Sequence, residues 1–233
     1  MTSVRNFSNR TRSRLGTPES GRRPKSHLSD TDQIRQHIAE TAARIMAEEG
    51  VSDFHAAKRK AADRLGVPES KHLPGNDEVH NALQLYLQLF HSGKLSQNLQ
   101  RLRQLAAEGM HFLEKFEPRL VGSVLSGAVT AVTEIQLHIT ADSPEEVGFW
   151  LDEHHIPYEQ SERRLRFGGD RYETFPAYHF TADETAVELC IFDHRNGREA
   201  PLSPVDGKPM KRANLREVES LVGQAINPTD RKD

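Results

Sequence analysis

The sequence predicts an α+β fold, in which an N-terminal helical domain is followed by a mixed β-sheet with flanking helices. In the first part of the chain, apolar side chains recur at the spacing of one helix face. After Pro118 the pattern changes to short runs rich in β-branched and aromatic residues, which is typical of strands. One amphipathic helix interrupts these strands, and this order describes a mixed sheet.

Four helices are predicted before the first strand, each from an apolar stripe and from the residues that bound it. Asp and Asn are favoured as N-caps, and glycine accepts the left-handed backbone that ends many helices. The fourth helix connects the two halves of the chain, with Gly109 as a weak point inside it. The predicted segments run from Asp30 to Gly50, from Asp53 to Leu65 with Gly66 after it, from the turn at residues 73–76 to Gly93, and from Ser96 to Lys115.

Five strands and three further helices are predicted in the second half of the chain. A short helix follows the first strand, and a longer one begins at Asp142 or Ser143 with Pro144 in its first turn. Asn214 is the predicted N-cap of the last helix. The predicted strands cover residues 119–121, 134–139, 163–167, 177–181 and 186–192.

The overall composition is that of a globular protein, because 36% of the 233 residues are hydrophobic and 28% are charged. No segment reaches the roughly 20 apolar residues of a membrane-spanning helix, and the N-terminus lacks the apolar core of a signal peptide. We therefore expect a cytoplasmic protein without a membrane partner. The single cysteine, Cys190, excludes an internal disulfide framework and lies in an apolar run, which predicts a buried structural thiol.

Basic residues are concentrated at the N-terminus, although the formal net charge is only −3. Before Ser29, seven Lys and Arg residues accompany one acid, Glu19, and large apolar residues are nearly absent. Such a segment cannot offset its ordering entropy by burial, so we expect a disordered tail, with a transit peptide or a nucleic-acid-binding arm as alternatives. The predicted organisation is a basic tail at 1–29, a helical domain at 30–95, an α/β domain at 96–225 with its core at 116–193, and a flexible tail at 226–233.

Two short motifs in the α/β domain have a spacing suited to phosphate chemistry. The first is Gly122-Ser123 after a predicted strand, and the second, after residues 124–133, is the strand start Glu134-Ile135-Gln136. Glycine lets the main chain approach a phosphate, and a hydroxyl with free amides can hold its oxygens. Residues that alternate on a strand point to the same face. Glu188, a lone charge in an apolar strand, is the candidate for a third acid.

In this order the motifs resemble the nucleotidyltransferase superfamily, which includes DNA polymerase beta-like and minimal nucleotidyltransferases. The resemblance implies a nucleoside triphosphate held at Gly122 and Ser123. It also implies Mg²⁺ held by Glu134, Gln136 and Glu188, with the two glutamates as catalytic acids. The chain departs from the family pattern, because Glu134 replaces an aspartate and the amide of Gln136 replaces a charged ligand.

A divergent nucleotidyltransferase-like protein, which binds a nucleotide and has weak or lost transferase activity, is therefore the predicted function. His138 follows Gln136 on the same strand face, either as a further site residue or as a surface or hydrogen-bonded histidine. In the segment 203–212, we expect Lys208, Lys211 and Arg212 either to meet the phosphates of a nucleotide or to belong to a plain surface loop.

A basic helix face offers an alternative, non-catalytic function. Its residues are Lys58, Arg59, Lys60 and Arg64, which would bind the phosphate backbone of a nucleic acid or a protein partner. The opposing interpretation is an ordinary solvated helix face, because Asp53 and Asp63 lie on the same segment.

The helical half also resembles an uncharacterised bacterial family whose members have at times been labelled muramate–alanine ligases. The similar residues are Asp53-Phe54, the run 57–62 and Leu73-Pro74. A ligase of that class would need a glycine-rich phosphate loop ending in Gly-Lys-Ser or Gly-Lys-Thr, and no such segment is present in the sequence. The residues therefore do not support a ligase activity.

Overall fold

The sheet of the second half has five strands and is mixed. Its strands are β1 (Arg119–Val121), β2 (Ile135–Thr140), β3 (Glu159–Arg166), β4 (Tyr172–Ala182) and β5 (Thr185–Phe192). Their spatial order is β1-β2-β5-β4-β3, in which β2 and β5 are parallel and all other neighbours are antiparallel. Because parallel neighbours need a long crossover, the connection from β2 to β5 contains a helix and the β3–β4 hairpin.

Helices precede, interrupt and follow this sheet. They are α1 (Asp30–Glu49), α2 (Phe54–Leu65), α3 (Asn76–Phe90), α4 (Ser92–Phe112), α5 (Gly122–Ser126), α6 (Pro144–Glu153) and α7 (Leu215–Ile226). The computed structural model describes residues 30–68, 73–90, 92–130, 132–169, 171–194 and 196–226. The predicted tail at 1–29 and the predicted tail at 226–233, apart from Ile226, lie outside the described residues.

The first three helices enclose a hydrophobic cluster of their own. Ile38, Ala42 and Ile45 of α1 are almost fully buried, and they pack with buried residues of α2 and α3. The cap residues act as predicted, since the Asp53 carboxylate accepts a hydrogen bond from the main-chain N–H of Ala56, and Gly66 ends α2 in the left-handed conformation.

One face of the sheet forms the main core. Alternate residues of β2 and β5 point to this face and are buried against α4, α6 and α7. They are Ile135, Leu137, Ile139, Val187, Leu189 and Ile191. Each fully buried aliphatic side chain contributes about 1.5–3 kcal/mol relative to an exposed one. This packing anchors β2 and β5 side by side.

The opposite sheet face carries the polar residues of both strands. Gln136 and His138 of β2 face it, as do Glu188 and Cys190 of β5, because they alternate with the core residues. A small aromatic cluster of Phe167, Phe175 and Phe192 packs around Cys190. The Cys190 thiol is buried as predicted, and burial, followed by the charge of Glu188, raises its pKa to about 12.

The predicted order of helices and strands is confirmed, and several boundaries are corrected. Helix α4 begins at Ser92, so Gly93 lies in its first turn and does not end the third helix. Strands β3 and β4 begin at Glu159 and Tyr172, before their predicted starts, and they pair along the whole of β3. Nearly all of β3 is exposed at the sheet edge, so it lacks the apolar alternation that marks a strand in sequence.

In the described part of the chain, no helix is both long and apolar enough to cross a bilayer.

Candidate functional site

The predicted Gly122-Ser123 motif lies at the junction of β1 and α5. Gly122 has a φ of +71°, a left-handed conformation that favours glycine. A Cβ atom at this position would lie 2.3 Å from Oε1 of Gln136. The backbone conformation therefore favours glycine, a side chain here would displace the Gln136 amide, and this proximity brings the first predicted motif against the second.

Glu134, Gln136 and Glu188, the three predicted metal ligands, meet on the polar face of the sheet. Gln136 and Glu188 are register partners on the parallel strands β2 and β5. The Nε2 group of Gln136 donates to Oε1 of Glu134 at 2.8 Å, and it lies 3.5 Å from Oε1 of Glu188. The amide of Gln136 therefore joins the two carboxylates, while its oxygen faces Gly122.

Basic side chains from β3 and β4 complete this cluster. Nη1 of Arg163 lies 3.5 Å from Oε2 of Glu188, and Nε2 of His179 lies 4.0 Å from the same oxygen. The hydroxyl of Ser161 and Nε2 of His179 form a hydrogen bond of 2.7 Å. Sequence reasoning missed Ser161 and Arg163 because they lie on an exposed edge strand without an apolar signal. It missed His179 because the pairing of this residue with Glu188 depends on the register of β4 and β5.

Glu188 is buried within this cluster, with 5% of its surface exposed. Burial raises the pKa of its carboxyl group above the ordinary value, and Glu134 raises it further. Arg163, and to a smaller extent His179, lower the same pKa. The ionised form of Glu188 therefore depends on the neighbouring guanidinium.

The arrangement does not fit the two-magnesium site that the family resemblance implies. Such a site needs several carboxylate oxygens directed at the metals, whereas Gln136 directs N–H groups at Glu134 and Glu188. Arg163 places a positive charge beside Glu188, where a cation would have to bind. Among the described residues, no group of three or more His, Cys, Asp and Glu side chains is placed to hold a metal ion.

The three predicted phosphate-binding cations of the segment 203–212 differ in their exposure. Lys208 and Lys211 are exposed. Arg212 is half-buried, and its guanidinium donates to the main-chain oxygens of Gly197 at 2.7 Å and Arg198 at 3.1 Å. Arg212 also lines a cavity on the polar sheet face.

The basic face of α2 is largely engaged within the helical half of the chain. Nζ of Lys58 donates to Oδ1 of Asn76 at 2.7 Å and to a main-chain oxygen. Lys60 and Arg64 both form ion pairs with Glu49 of α1, at 2.5 and 2.6 Å. Arg59 also has an interaction partner. These contacts favour the interpretation of a charge-matched helix face over a nucleic-acid-binding surface.

His138 is buried, and it matches neither of the two ordinary alternatives, a surface histidine or a hydrogen-bonded one. The residue is only 6% exposed, and its ring packs on Phe192 with the ring centroids 4.8 Å apart. Among the described residues, its Nδ1 atom has no hydrogen-bond partner. It is therefore neither a surface histidine nor one whose Nδ1 is satisfied, and an unpaired buried nitrogen of this kind is uncommon in folded proteins.

Replacing Arg163 by glutamine is expected to raise the pKa of Glu188 further and to destabilise the chain by about 1–2 kcal/mol at neutral pH. The loss is smaller than for a fully buried pair, because the Arg163 side chain is 47% exposed. Carbon-13 NMR titration of the Glu188 carboxyl and urea denaturation measure the two effects.

Arg164→Gln provides the matched control for this variant. Arg164 is the next residue of β3, points to the other side of the strand and lies over the ring of Tyr172 at 4.6 Å. Its replacement removes the same charge and should leave the Glu188 titration in place. An equal shift in both variants would show that Arg163 acts only through the overall charge.

The candidate site is thus the cluster of Gly122, Glu134, Gln136, Glu188 and Arg163 at one end of the polar sheet face. Comparison of the chain with models of known protein families, and with curated proteins, found no match. The functional conclusion therefore depends on the residues and the geometry of the site.

Proposed function

We propose that this chain is a divergent nucleotidyltransferase-like protein that binds a nucleotide and has lost two-metal phosphoryl transfer. The observation that carries the proposal is the position of Gln136. Its amide lies between Glu134 and Glu188 and touches Gly122, at the place where the family resemblance assigns a metal-binding acid.

Nucleotide binding is supported by the way in which the two motifs meet. Gly122 brings main chain close to the polar sheet face, and Ser123 follows it at the start of α5. Among the described residues, the Ser123 hydroxyl has no hydrogen-bond partner, so it is available to a phosphate oxygen. Helix α5 spans only residues 122–126, so its dipole adds little to anion binding. Arg163 supplies the positive charge at this end of the face.

Loss of phosphoryl transfer is supported by the charge of the cluster. Two-metal transfer requires several anionic ligands that align the attacking and leaving oxygens. Here one of the three positions is neutral and the buried Glu188 is already paired with Arg163. Of its two carboxylates, Glu188 is therefore paired with Arg163 and Glu134 is held by the amide of Gln136.

Isothermal titration calorimetry with each of the four ribonucleoside triphosphates tests the proposal. The unmodified chain should bind at least one of them with the same Kd in magnesium and in EDTA. In Gln136→Glu, a third carboxylate of equal length repels the phosphates, so binding in EDTA should weaken by about 10-fold, or 1.4 kcal/mol. Magnesium should restore it.

Two controls make the experiment decisive. Ser123→Ala should weaken binding by about 5-fold, the value of one hydrogen bond. Ser126→Ala, whose exposed hydroxyl already donates to the main-chain oxygen of Ser123, should not weaken it. Transfer of label from α-³²P nucleotides by the unmodified chain would disprove the loss of activity. If none of the four nucleotides binds, with or without magnesium, the proposal that the chain binds a nucleotide is disproved.

A further inference from the structure

A cavity of about 560 Å³ opens on the polar sheet face at the far ends of β2 and β5. Its wall includes His138 and Thr140 of β2, Phe192 of β5, and Arg119 at the start of β1. Small-molecule sites occupy roughly 300–1,000 Å³, so the cavity is large enough for a metabolite. Within the described residues, none of the Gly122 cluster lines it, so it is a separate place on the same face.

Positive charge predominates in the cavity wall. Three guanidinium groups, those of Arg119, Arg198 and Arg212, line it, against one carboxylate, that of Glu117. His194 also lines it, and its Nε2 lies 3.2 Å from Oδ1 of Asp142. The lining residues therefore carry more positive than negative charge.

The guanidinium groups are placed to receive a ligand. Arg212 is held by the main-chain oxygens of Gly197 and Arg198, and these two bonds use only part of its five N–H donors. Burial, followed by the nearby charge of Arg119, lowers the pKa of Arg212, so the two cations repel each other. The Arg119 side chain has no hydrogen-bond or ionic partner in the described part of the chain. A bound anion would relieve this repulsion.

The ring of His138 lies in the cavity wall, and the residue is only 6% exposed. Its Nδ1 atom is closed off from solvent and has no partner among the described residues, so a ligand in the cavity would meet the ring and not this atom. Burial, Arg212 and Arg163 lower the pKa of His138 to about 3, so the ring is neutral at physiological pH and adds no charge to the cavity. The resonances of this ring therefore report on a ligand bound beside it.

We propose that this cavity binds a small phosphorylated metabolite, with its phosphate held by Arg119, Arg198 and Arg212 beside the ring of His138. Several N–H donors that converge from different elements match the four oxygens of a tetrahedral dianion better than the two of a carboxylate. The volume left beside the phosphate takes the organic part of the ligand, next to the ring of Phe192. This proposal does not depend on the nucleotide site at Gly122.

NMR titration of the isotope-labelled full chain with inorganic phosphate tests the site. Phosphate should shift the ring nitrogen resonances of His138 with a saturating dependence. Arg119→Gln should raise the Kd about 10-fold, which corresponds to about 1.4 kcal/mol. Because Arg119 has no partner in the described structure, this variant should keep its fold, which the rest of the spectrum checks.

Three comparisons decide the result. Arg216→Gln removes the same charge from an exposed position of α7 and should change the Kd by less than about 2-fold, the scale of a screened surface charge. Glu117→Gln should tighten binding. Equal weakening by the two arginine variants, an unchanged His138 spectrum, or equal affinity for acetate would overturn the proposal.

Discussion

Replacing Gly122 by alanine is expected to destabilise the folded chain by about 2–4 kcal/mol. Part of the cost comes from the φ of +71°, which L-residues rarely adopt. The rest comes from the new methyl group, which would lie 2.3 Å from Oε1 of Gln136 and push this side chain away from its hydrogen bond to Glu134. Urea denaturation of the full chain at neutral pH measures the loss.

A double-mutant cycle with Gln136→Ala separates the two contributions. Removing the Gln136 side chain removes the steric contact, so the cost of Gly122→Ala should then fall to about 1–2 kcal/mol, the strain of the left-handed backbone alone. Gly66→Ala is the matched control, since Gly66 has a φ of +66° and nothing within 4 Å of the added methyl group. If Gly122→Ala costs no more than Gly66→Ala, the two motifs are not in the close contact described here.

Acidification is expected to destabilise the chain through His138. The unfolded chain binds a proton at this residue near the ordinary histidine pKa of 6.5, whereas burial, Arg212 and Arg163 lower the pKa of the folded chain to about 3. The contribution of the neutral His138 to the free energy of unfolding is therefore complete above pH 6.5, and it is lost as the pH falls towards 3. Its slope reaches about 1.4 kcal/mol per pH unit, and its total is about 4–5 kcal/mol.

Urea denaturation of the unmodified chain and of His138→Leu between about pH 7.5 and pH 4.5 measures this contribution. At the upper end of that range, the difference in the free energy of unfolding between the two chains reports only the packing cost of replacing histidine by leucine. Below pH 6.5 the variant should lose stability less steeply. Glu188 acts in the opposite direction, because its raised pKa lets the folded state take up a proton first. Glu188 is present in both chains, so its effect is the same in the two profiles. If the free energy of unfolding of the two chains changed in parallel with pH, the pKa of His138 would not be lowered by folding.

The local features that the sequence predicted correctly are those that neighbouring residues determine. Gly66 ends α2 and Asp53 caps it, because backbone conformation and a side chain three residues away decide both. The two-residue alternation of β2 likewise predicted that Gln136 and His138 share a face. Within the cluster, Glu134, Gln136 and Glu188 came together as the motif spacing indicated.

Features that depend on pairing between distant segments were not predicted. His179 reaches Glu188 because the two residues are register partners on β4 and β5. Arg163 reaches the same carboxylate from the edge strand β3, whose exposed sequence carries no signal of its register. The charges of Lys60 and Arg64 looked free in the sequence, yet Glu49 of another helix neutralises both. Interactions across a fold are invisible to periodicity, which reports only one segment at a time.

The sequence by itself determined the order of helices and strands, the α+β class, and the neutral Gln136 within the Gly122 cluster. Covalent neighbours and periodic burial are sufficient for these features. Only the tertiary structure decided that the Gln136 amide joins Glu134 to Glu188 and that Arg163 balances the buried acid. It also placed Arg119, Arg212 and His138 around one cavity. Hydrogen bonds, charge balance and burial there depend on side chains that the chain brings together from remote positions.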